Sequence, residues 1–293
     1  MPQTQLDIRA EQFSRNVVPL AQQQYSKFYT TVIQKSDINA KSFSQDQIGK
    51  WSMAPKGGLN VDTPENDPNL QRRWAFIETF ADARLLDRSV NLQILSDPKS
   101  EMTMNAARAI GRQMDSNIYT ASLGTSATGE SGAGSETLPA GQIVDSGGAA
   151  AMTIDKVRQA WDKLNQNDVD EWDRYAWVSP PSVRQMLGDE QATSADFVNI
   201  KNLLLGDLTT FYGFDWRWST IIQAANVGNI AQNVFFQKSG ICTGTPEMLY
   251  IRTDERADKS YSWQVYYELN IGSVRLEEDK VVRVDSDDSI TIS

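Results

Sequence analysis

The sequence contains no histidine and a single cysteine in 293 residues. The missing histidine excludes the commonest general base, the commonest zinc ligand and every serine–histidine or cysteine–histidine nucleophile pair. One thiol, Cys242, can form neither an internal disulfide nor a thiolate metal cluster. Because Cys242 lies at the edge of the apolar run 234–241, we expect a small buried side chain and not a reactive thiol.

A membrane-spanning helix requires a run of about 18 apolar residues, and the sequence has none. The segment 1–10 is polar and of mixed charge, and it lacks the apolar core of a signal peptide. Together these absences predict a soluble protein that neither spans a membrane nor is exported through one.

Basic residues are in the minority, 28 against 38 acidic residues, so the formal net charge is −10. A protein that binds phosphates usually has a basic face, and specific nucleic-acid binding is therefore disfavoured. A container for nucleic acid has the opposite requirement, because an attractive inner wall would hinder packing and release. The charge fits that role.

Hydrophobic residues make up 40% of the chain, which is enough for a core, and the length predicts about two domains or one domain with a long insertion. Residues 1–35 have the pattern of an arm with helical character, interrupted by Pro19. Residues 36–90 predict two long strands joined by a polar tip, 50–68, that is rich in glycine and proline. Such a hairpin has little core of its own, so we expect it to need a partner surface.

The clearest helix is predicted for residues 97–123. Asp97 is a good N-cap, Pro98 suits the first turn, and Gly124 is typical of the position after a helix. One face, expected to be buried, carries residues at intervals of three and four, namely Met104, Ala107, Gly111, Met114, Ile118 and Ala121. The other face carries Arg108, Arg112, Gln113 and Asp115.

The residues after this helix differ in composition from it. Residues 124–148 are rich in glycine, which predicts a linker or loop. Within them, Gly132-Ala133-Gly134 resembles a phosphate-binding turn but lacks the preceding strand, the third glycine and the Lys-Ser/Thr ending. Residues 151–245 alternate helix and strand, which indicates a mixed α/β domain. In the segment 262–271 apolar and polar residues alternate with period two, which predicts a strand with one apolar face.

Acidic clusters are the remaining candidates for catalysis. One surrounds Trp172 and consists of Asp168, Asp170, Glu171 and Asp173. A carboxylate pair flanked by an aromatic ring could cleave a sugar, but we favour a solvated loop that Trp172 anchors. Near the C-terminus, Asp285, Asp287 and Asp288 resemble calcium-loop spacing without its glycine and final glutamate, so we expect a solvated or subunit-facing acidic edge. We predict no catalytic, cofactor-binding or metal-binding residues.

Three stretches resemble a known family. They are the small-residue helix 105–115, which ends in an Asp; the helix 153–164 followed by the strand and Ser-Pro turn 175–180; and the strands around Gly206-Asp207-Leu208, Tyr212-Gly213-Phe214 and 234–239. Their order and spacing resemble the major capsid protein of tailed bacteriophages over nearly the whole chain. The resemblance implies an α+β fold with an N-terminal arm (1–35), an extended β-hairpin loop (36–90), a peripheral domain with a long spine helix (91–150 and 246–293) and an α/β axial domain (151–245).

The function that the resemblance implies is structural. The protein would self-assemble into pentamers and hexamers of an icosahedral shell that encloses double-stranded DNA in the virion, without specific DNA binding, and assembly would take place in the host cytoplasm. Because only about 35 residues precede the hairpin, a separate scaffolding protein is implied, or else the sequence is a processed form. A portal and a decoration protein are further implied partners. The alternatives are a bacterial nanocompartment shell and an acidic-residue glycoside hydrolase.

Candidate subunit-contact residues lie on the second limb of the hairpin, namely Arg72, Arg73, Trp74 and Arg84. These cations could discourage edge pairing of an exposed strand, or they could pair with the acidic surface of a neighbouring subunit. Neither role is catalytic.

Overall fold

The computed structural model describes residues 22–36, 38–53, 55–58, 69–86, 99–145, 150–187, 210–224, 228–246 and 250–290. The helices are α1 (Lys99–Leu123), α2 (Ile154–Gln166), α3 (Pro180–Leu187) and α4 (Thr220–Ala224). The strands are β1 (Ile33–Lys35), β2 (Ser42–Ile48), β3 (Leu70–Phe76), β4 (Glu78–Leu86), β5 (Ser126–Thr128), β6 (Gly134–Glu136), β7 (Ile143–Val144), β8 (Arg174–Val178), β9 (Thr210–Phe211), β10 (Phe214–Trp218), β11 (Ile230–Gln237), β12 (Ile241–Gly244), β13 (Tyr250–Arg256), β14 (Ser262–Arg275) and β15 (Val281–Asp287). Within the described segments, no helix has the length and apolar character needed to cross a membrane.

The chain divides into two compact units. The first unit consists of Met1–Tyr25, Thr79–Gly111 and Leu249–Leu269, and the second of Ser26–Glu78, Arg112–Met248 and Asn270–Ser293. In the first unit β13 runs antiparallel to β14, and β4 also pairs with β14. The hydroxyl of Tyr267 on β14 donates to the carboxylate of Asp82 on β4 at 2.6 Å, and this hydrogen bond lowers the pKa of Asp82. The strand predicted at 262–271 is confirmed.

In the second unit a six-stranded sheet has the order β7-β15-β11-β8-β10-β9. Helix α2 packs on this sheet through Val157, Ala160 and Leu164, which are fully buried. The predicted helix 153–164 and the predicted strand 175–178 are thereby confirmed, within one or two residues at each end. Strand β8 pairs with β10 in parallel and with β11 in antiparallel orientation, so the sheet is mixed.

The last strand corrects the grouping expected for the C-terminal residues. We placed all strands of 246–293 together, but β15 pairs with β11 from Ile230 opposite Asp287 to Phe236 opposite Val281. The physical reason is burial on both faces, because Val281, Val282 and Val284 have no exposed surface. A strand that is apolar on both faces belongs in the interior of a covered sheet. β15 therefore completes the sheet that also contains the strands of 174–237.

Helix α1 ends at Leu123, as predicted, and the amide of Gly124 donates to the carbonyl of Thr120 at 2.8 Å. The predicted start at Asp97 lies outside the described residues. The buried positions are spaced by four, at Ala106, Ile110, Met114, Ile118 and Ser122, with Gly111, Asp115 and Tyr119 beside them. Burial of Met114 and Ile118 is confirmed. The predicted burial of Met104 and Ala107 is wrong, because both are exposed.

Asp115 is the second correction on this helix, because it is fully buried and lies on the core side. The backbone amides of Lys27 and Phe28 donate to its carboxylate at 3.0 Å, and the hydroxyl of Ser26 donates to it as well. A buried carboxylate is tolerated when donors surround it in this way. Asp115 therefore fixes the segment that leads into β1.

We expect Met114→Asp to lower the free energy of unfolding by roughly 3–5 kcal/mol, because it removes a packed side chain and buries a charge without a partner. Met104→Asp is the matched control on the same helix, since the exposed fraction is 45% for Met104 and 3% for Met114. Urea unfolding of both variants measures the difference. A Met114→Asp protein as stable as the control would contradict the observed orientation of the helix.

Candidate assembly surface

The hairpin is formed by β2 and β3, which pair antiparallel from Ser42 opposite Phe76 to Ile48 opposite Leu70. This ladder confirms the predicted hairpin, but its second limb is shorter than expected. The strand is interrupted at Ile77, whose amide donates to the carbonyl of Lys41 at 2.9 Å. The following strand, β4, pairs with β14. Arg84 lies on β4, and the prediction that placed it on the hairpin ladder is corrected.

The foot of the hairpin, where Ser42 pairs with Phe76, belongs to a hydrophobic core. Phe43 of β2 and Ala75 of β3 are buried in a cluster whose other members are Ile38, Cys242, Val274 and Leu276. Cys242 is fully buried, as predicted, and burial raises the pKa of its thiol to about 11. The foot of the hairpin therefore packs on a surface of its own subunit, formed by Cys242, Val274 and Leu276.

The free end of the hairpin, where Ile48 pairs with Leu70, has the opposite character. Ile48 and Leu70 are both exposed, and Trp51 and Met53 beyond them are even more exposed. Single apolar side chains at a surface are ordinary, but a group of them on one projecting element marks an interaction site. The two ends of the hairpin thus differ, because the foot packs in a hydrophobic core whereas the free end exposes its large apolar side chains.

Arg73 is not the exposed cation that the sequence predicted. It is buried, its Nε donates to the carbonyl of Leu276 at 3.0 Å, and its terminal nitrogen binds the carboxylate of Glu278 at 2.6 Å. The other oxygen of Glu278 lies 3.5 Å from Nε of Arg275, which is also buried. These contacts occupy Arg73 inside the subunit, so we withdraw it from the candidate subunit contacts.

Arg72, the adjacent residue, points to solvent and binds Asp46 of β2 with two hydrogen bonds of 2.5 and 2.9 Å. The hydrogen bond from Arg72 lowers the pKa of the Asp46 carboxyl. Trp74 is half-buried and donates from Nε1 to the carbonyl of Gly129 at 2.8 Å. Arg84 is exposed and lies 3.2 Å from Asp82. All three remain accessible to a neighbouring subunit.

The acidic loop around Trp172 lies at the surface. Trp172 has 83% of its surface exposed, so the prediction that it anchors the loop is wrong. The anchor is Arg174, which is buried and donates to the carbonyls of Val169 and Asp170 at 2.5 and 2.8 Å. Asp170, Glu171 and Asp173 are exposed, as is Trp172 among them. The loop is solvated, as the favoured interpretation expected.

Of the C-terminal acidic residues, which were predicted to form a solvated or subunit-facing edge, Asp285 departs from the prediction, whereas Asp287 and Asp288 are partly exposed. Asp285 is fully buried and accepts two hydrogen bonds from Arg283 at 2.8 and 2.7 Å. Asp288 accepts a hydrogen bond from the hydroxyl of Ser179 at 2.8 Å, and Asp287 binds Ser289. Their oxygens are thus engaged by different partners and do not converge on a common point.

Comparison with known proteins decides the family. A family model described as phage capsid protein matches residues 6–288. The chain belongs to this family. The prediction made from the sequence is confirmed, and the protein is the major capsid protein of a tailed phage, a structural protein that self-associates into an icosahedral shell of the virion. No curated protein matches the sequence.

Solved structures of capsids share the fold. The capsid of the cyanophage P-SCSP1u superposes with a TM-score of 0.75 at 14% identity, over 96% of this chain and 93% of that chain. The capsid of the cyanophage Pam1 gives a TM-score of 0.74 at 13% identity, over 99% of each chain. Mycobacterium phage Che8 gives 0.71 at 14% identity, over 94% of this chain and 97% of that chain. The predicted α+β fold is therefore confirmed.

We expect Arg73→Ala to lower the free energy of unfolding by about 3–5 kcal/mol, because it leaves the partly buried carboxylate of Glu278 without its shortest ion pair. Arg72→Ala is the matched control one residue away, and it should leave the melting temperature nearly unchanged because water replaces the exposed pair. Thermal unfolding of the two variants measures the contrast. Equal losses would show that Arg73 does not anchor the hairpin.

Proposed function

We propose that the protein assembles through its hairpin into the pentamers and hexamers of a shell that encloses double-stranded DNA. One observation carries the proposal, namely that the hairpin foot is packed in the core while its free end exposes four large apolar side chains. An element of this kind stabilises a contact with another subunit more than it stabilises its own. The net charge of −10 supports an inner wall that does not bind DNA tightly.

We infer that each predicted segment has its own role in the shell. Residues 1–35 form an arm, and residues 36–90 form the extended loop. Residues 91–150 and 246–293 form the peripheral domain, and residues 151–245 form the axial domain around the symmetry centres. Strand β15 is the exception, because it pairs within the sheet of residues 174–237. The support for the remaining boundaries is the resemblance to the family.

We also propose the partners that a shell of this family requires. A scaffolding protein, a portal and a decoration protein would act with the subunit, and assembly would take place in the host cytoplasm. Family membership supports this proposal. The protein would contribute no catalysis, cofactor or metal to these steps.

Deleting residues 53–66 tests the role of the hairpin. The paired strands 42–48 and 70–76 remain, so we expect a folded and soluble protein with an unchanged core. Closed shells should be lost, because the deletion removes Met53 together with the polar tip and changes the position of Trp51 beside it. Electron microscopy of the purified proteins measures this, with circular dichroism as the control for folding.

Two results would contradict the proposed function. Normal particles from the deletion variant would show that residues 53–66 are dispensable for assembly. Wild-type particles that contain a protein cargo and no DNA would favour a nanocompartment shell instead.

The exposed cations Arg72 and Arg84 are proposed to add attraction between subunits, with Trp74 beside Arg72. Each exposed pair contributes little, but the contact is repeated at every copy of a symmetric shell. We expect Arg72→Gln combined with Arg84→Gln to keep the melting temperature of the free subunit. Assembly of this double variant should weaken most at low salt, where screening is smallest. Sedimentation across a salt series measures it, and assembly equal to wild type at low salt would exclude the role.

A further inference from the structure

The glycine-rich segment 124–148, predicted to be a linker or loop, contains a second, shorter hairpin. Strand β5 pairs with β6 in antiparallel orientation, and residues 129–133 form the turn between them. We call this turn the clip. It includes Gly132, the first residue of the stretch that resembles a phosphate-binding turn. Because β5 also pairs with β3 in a sheet of order β2-β3-β5-β6, the clip lies beside the hairpin of β2 and β3.

The clip contacts β3 through backbone hydrogen bonds and through one aromatic surface. The indole N–H of Trp74 donates to the carbonyl of Gly129 at 2.8 Å, and the amide of Gly129 donates to the carbonyl of Arg72 at 3.2 Å. Gly132 lies directly against the aromatic rings. A Cβ added to it would be 3.1 Å from Cγ of Trp74 and 3.4 Å from Cζ of Phe76. The closed position of the clip therefore requires a residue without a side chain at 132.

Strand β3 is held on both of its faces. On one face the clip covers Trp74, and the negative charge of the exposed Glu130 acts on Arg72. The pKa of Arg72 is raised mainly by its hydrogen bond to Asp46 and in smaller part by Glu130. Successive side chains of a strand point to opposite faces, so Arg73 lies on the other face, where it binds Glu278 at 2.6 Å.

The two sides differ in how easily they open. Four of the five clip residues are exposed, namely Gly129, Glu130, Ser131 and Ala133. The base of the short hairpin is fixed instead, because the buried hydroxyl of Ser126 donates to the carbonyl of Arg275 at 3.0 Å, and Arg275 donates to the carbonyl of Glu136 at 3.1 Å. Exposed turns open locally at a small free-energy cost, whereas breaking a buried ion pair is costly. The clip can therefore open while both hairpins keep their anchored ends.

A cavity beside the clip leaves the hairpin room to move. Its volume is about 540 Å³, and its walls include Leu70 of β3 and Glu136 of β6. Strand β3 pairs with β5 only through Arg73 and Trp74 among the described residues, so the part of β3 nearest the free end lies outside this ladder. The clip thus holds the hairpin between its foot and its free end, and a small rotation there displaces the free end.

We propose that the clip is a conformational switch that controls the direction of the hairpin. Closed over Trp74, it holds the hairpin in one direction, and open, it lets the hairpin pivot about its packed foot. When the hairpin pivots freely, only a fraction of the molecules has the direction that binds other subunits, and the apparent affinity falls by that fraction. This consequence for assembly rests on the proposed function, whereas closing of the clip is a property of the free subunit.

Two asparagine substitutions separate closing of the clip from other effects on the turn. Gly132 and Gly129 have positive φ values of 75° and 87°, and asparagine tolerates positive φ better than most residues with a side chain. At Gly132 the new side chain meets the ring of Trp74, whereas nothing lies within 4 Å of a Cβ added at Gly129. Gly132→Asn should therefore open the clip, and Gly129→Asn is the matched control in which it stays closed.

Hydrogen exchange of the free subunit measures whether the clip is closed. The amide of residue 129, which donates to Arg72, should exchange at least about ten-fold faster in Gly132→Asn than in the control, after correction for intrinsic rates. Glu130→Lys is a second variant that repels Arg72. It should speed exchange at low salt and much less at high salt, because salt screens the repulsion. Equal exchange in Gly132→Asn and the control would overturn the proposal.

Distances between two spin labels measure the direction of the hairpin. The native thiol, Cys242, is buried, so labels attach selectively to new cysteines. Ile48→Cys labels the free end of the ladder, and Gly141→Cys labels a position where nothing lies within 4 Å of an added Cβ; both belong to the second unit. The distance distribution should be broader with Gly132→Asn than with Gly129→Asn. Distributions of equal width would overturn the proposed control of direction.

Shell assembly tests the consequence. Gly132→Asn should raise the protein concentration at half-maximal assembly about ten-fold, as expected if about a tenth of the molecules keep the competent direction, and Gly129→Asn should stay within about two-fold of wild type. Shells that form equally well from Gly132→Asn, although its clip is open, would overturn the inference and leave the proposed function intact. If wild-type protein forms no closed shell, the proposed function fails, and the exchange and spin-label measurements still decide whether the clip holds the hairpin.

Discussion

The carboxylate of Glu278, held between the buried guanidinium groups of Arg73 and Arg275, is the interaction on which the second unit depends. Arg73 ties β3 of the hairpin to this carboxylate. Arg275 donates to the carbonyls of Ser122 and Gly124 at 3.0 and 2.7 Å, and so satisfies carbonyls at the end of α1. Removing one member of such a group leaves a charge without compensation, so the group specifies geometry more than it adds net stability.

A second buried charge orders the start of the same unit. Asp115 binds the backbone of Lys27 and Phe28, and this places the ring of Phe28 in a stack on Trp177 with centroids 4.3 Å apart. The indole of Trp177 donates to the hydroxyl of Thr31 at 3.2 Å. One carboxylate therefore connects the spine helix, the segment before β1 and strand β8. The Glu278 group and Asp115 both lie on or next to α1, which explains how one helix can organise several short strands.

Structural features that depend on residues close together in the sequence were predicted correctly. The end of α1 at Gly124, the burial of Cys242 and the alternation along β14 depend on neighbouring residues and could be read correctly. The sequence could not show that Arg73 is buried and Arg72 exposed. Neighbouring side chains on a strand face opposite sides, and only the register shows which side is buried. Asp115 was misplaced for a related reason, since the amides that stabilise it lie almost 90 residues away along the chain. Of the candidate contacts, Arg72, Trp74 and Arg84 remain accessible, whereas the exposed apolar residues at the free end gave no periodic signal.

These features together constrain how a subunit with a net charge of −10 can join its copies. Like charges oppose close approach, and one cation of the hairpin, Arg73, already binds Glu278 inside the subunit. Attraction must then come from apolar contact, supported by weaker exposed cations such as Arg72. A hairpin with a rigid foot and an apolar free end meets this requirement, because the buried arginine pair fixes the direction in which the free end projects. Weak individual contacts suffice, since every subunit repeats them, and weak contacts also allow wrongly placed subunits to dissociate before a shell closes.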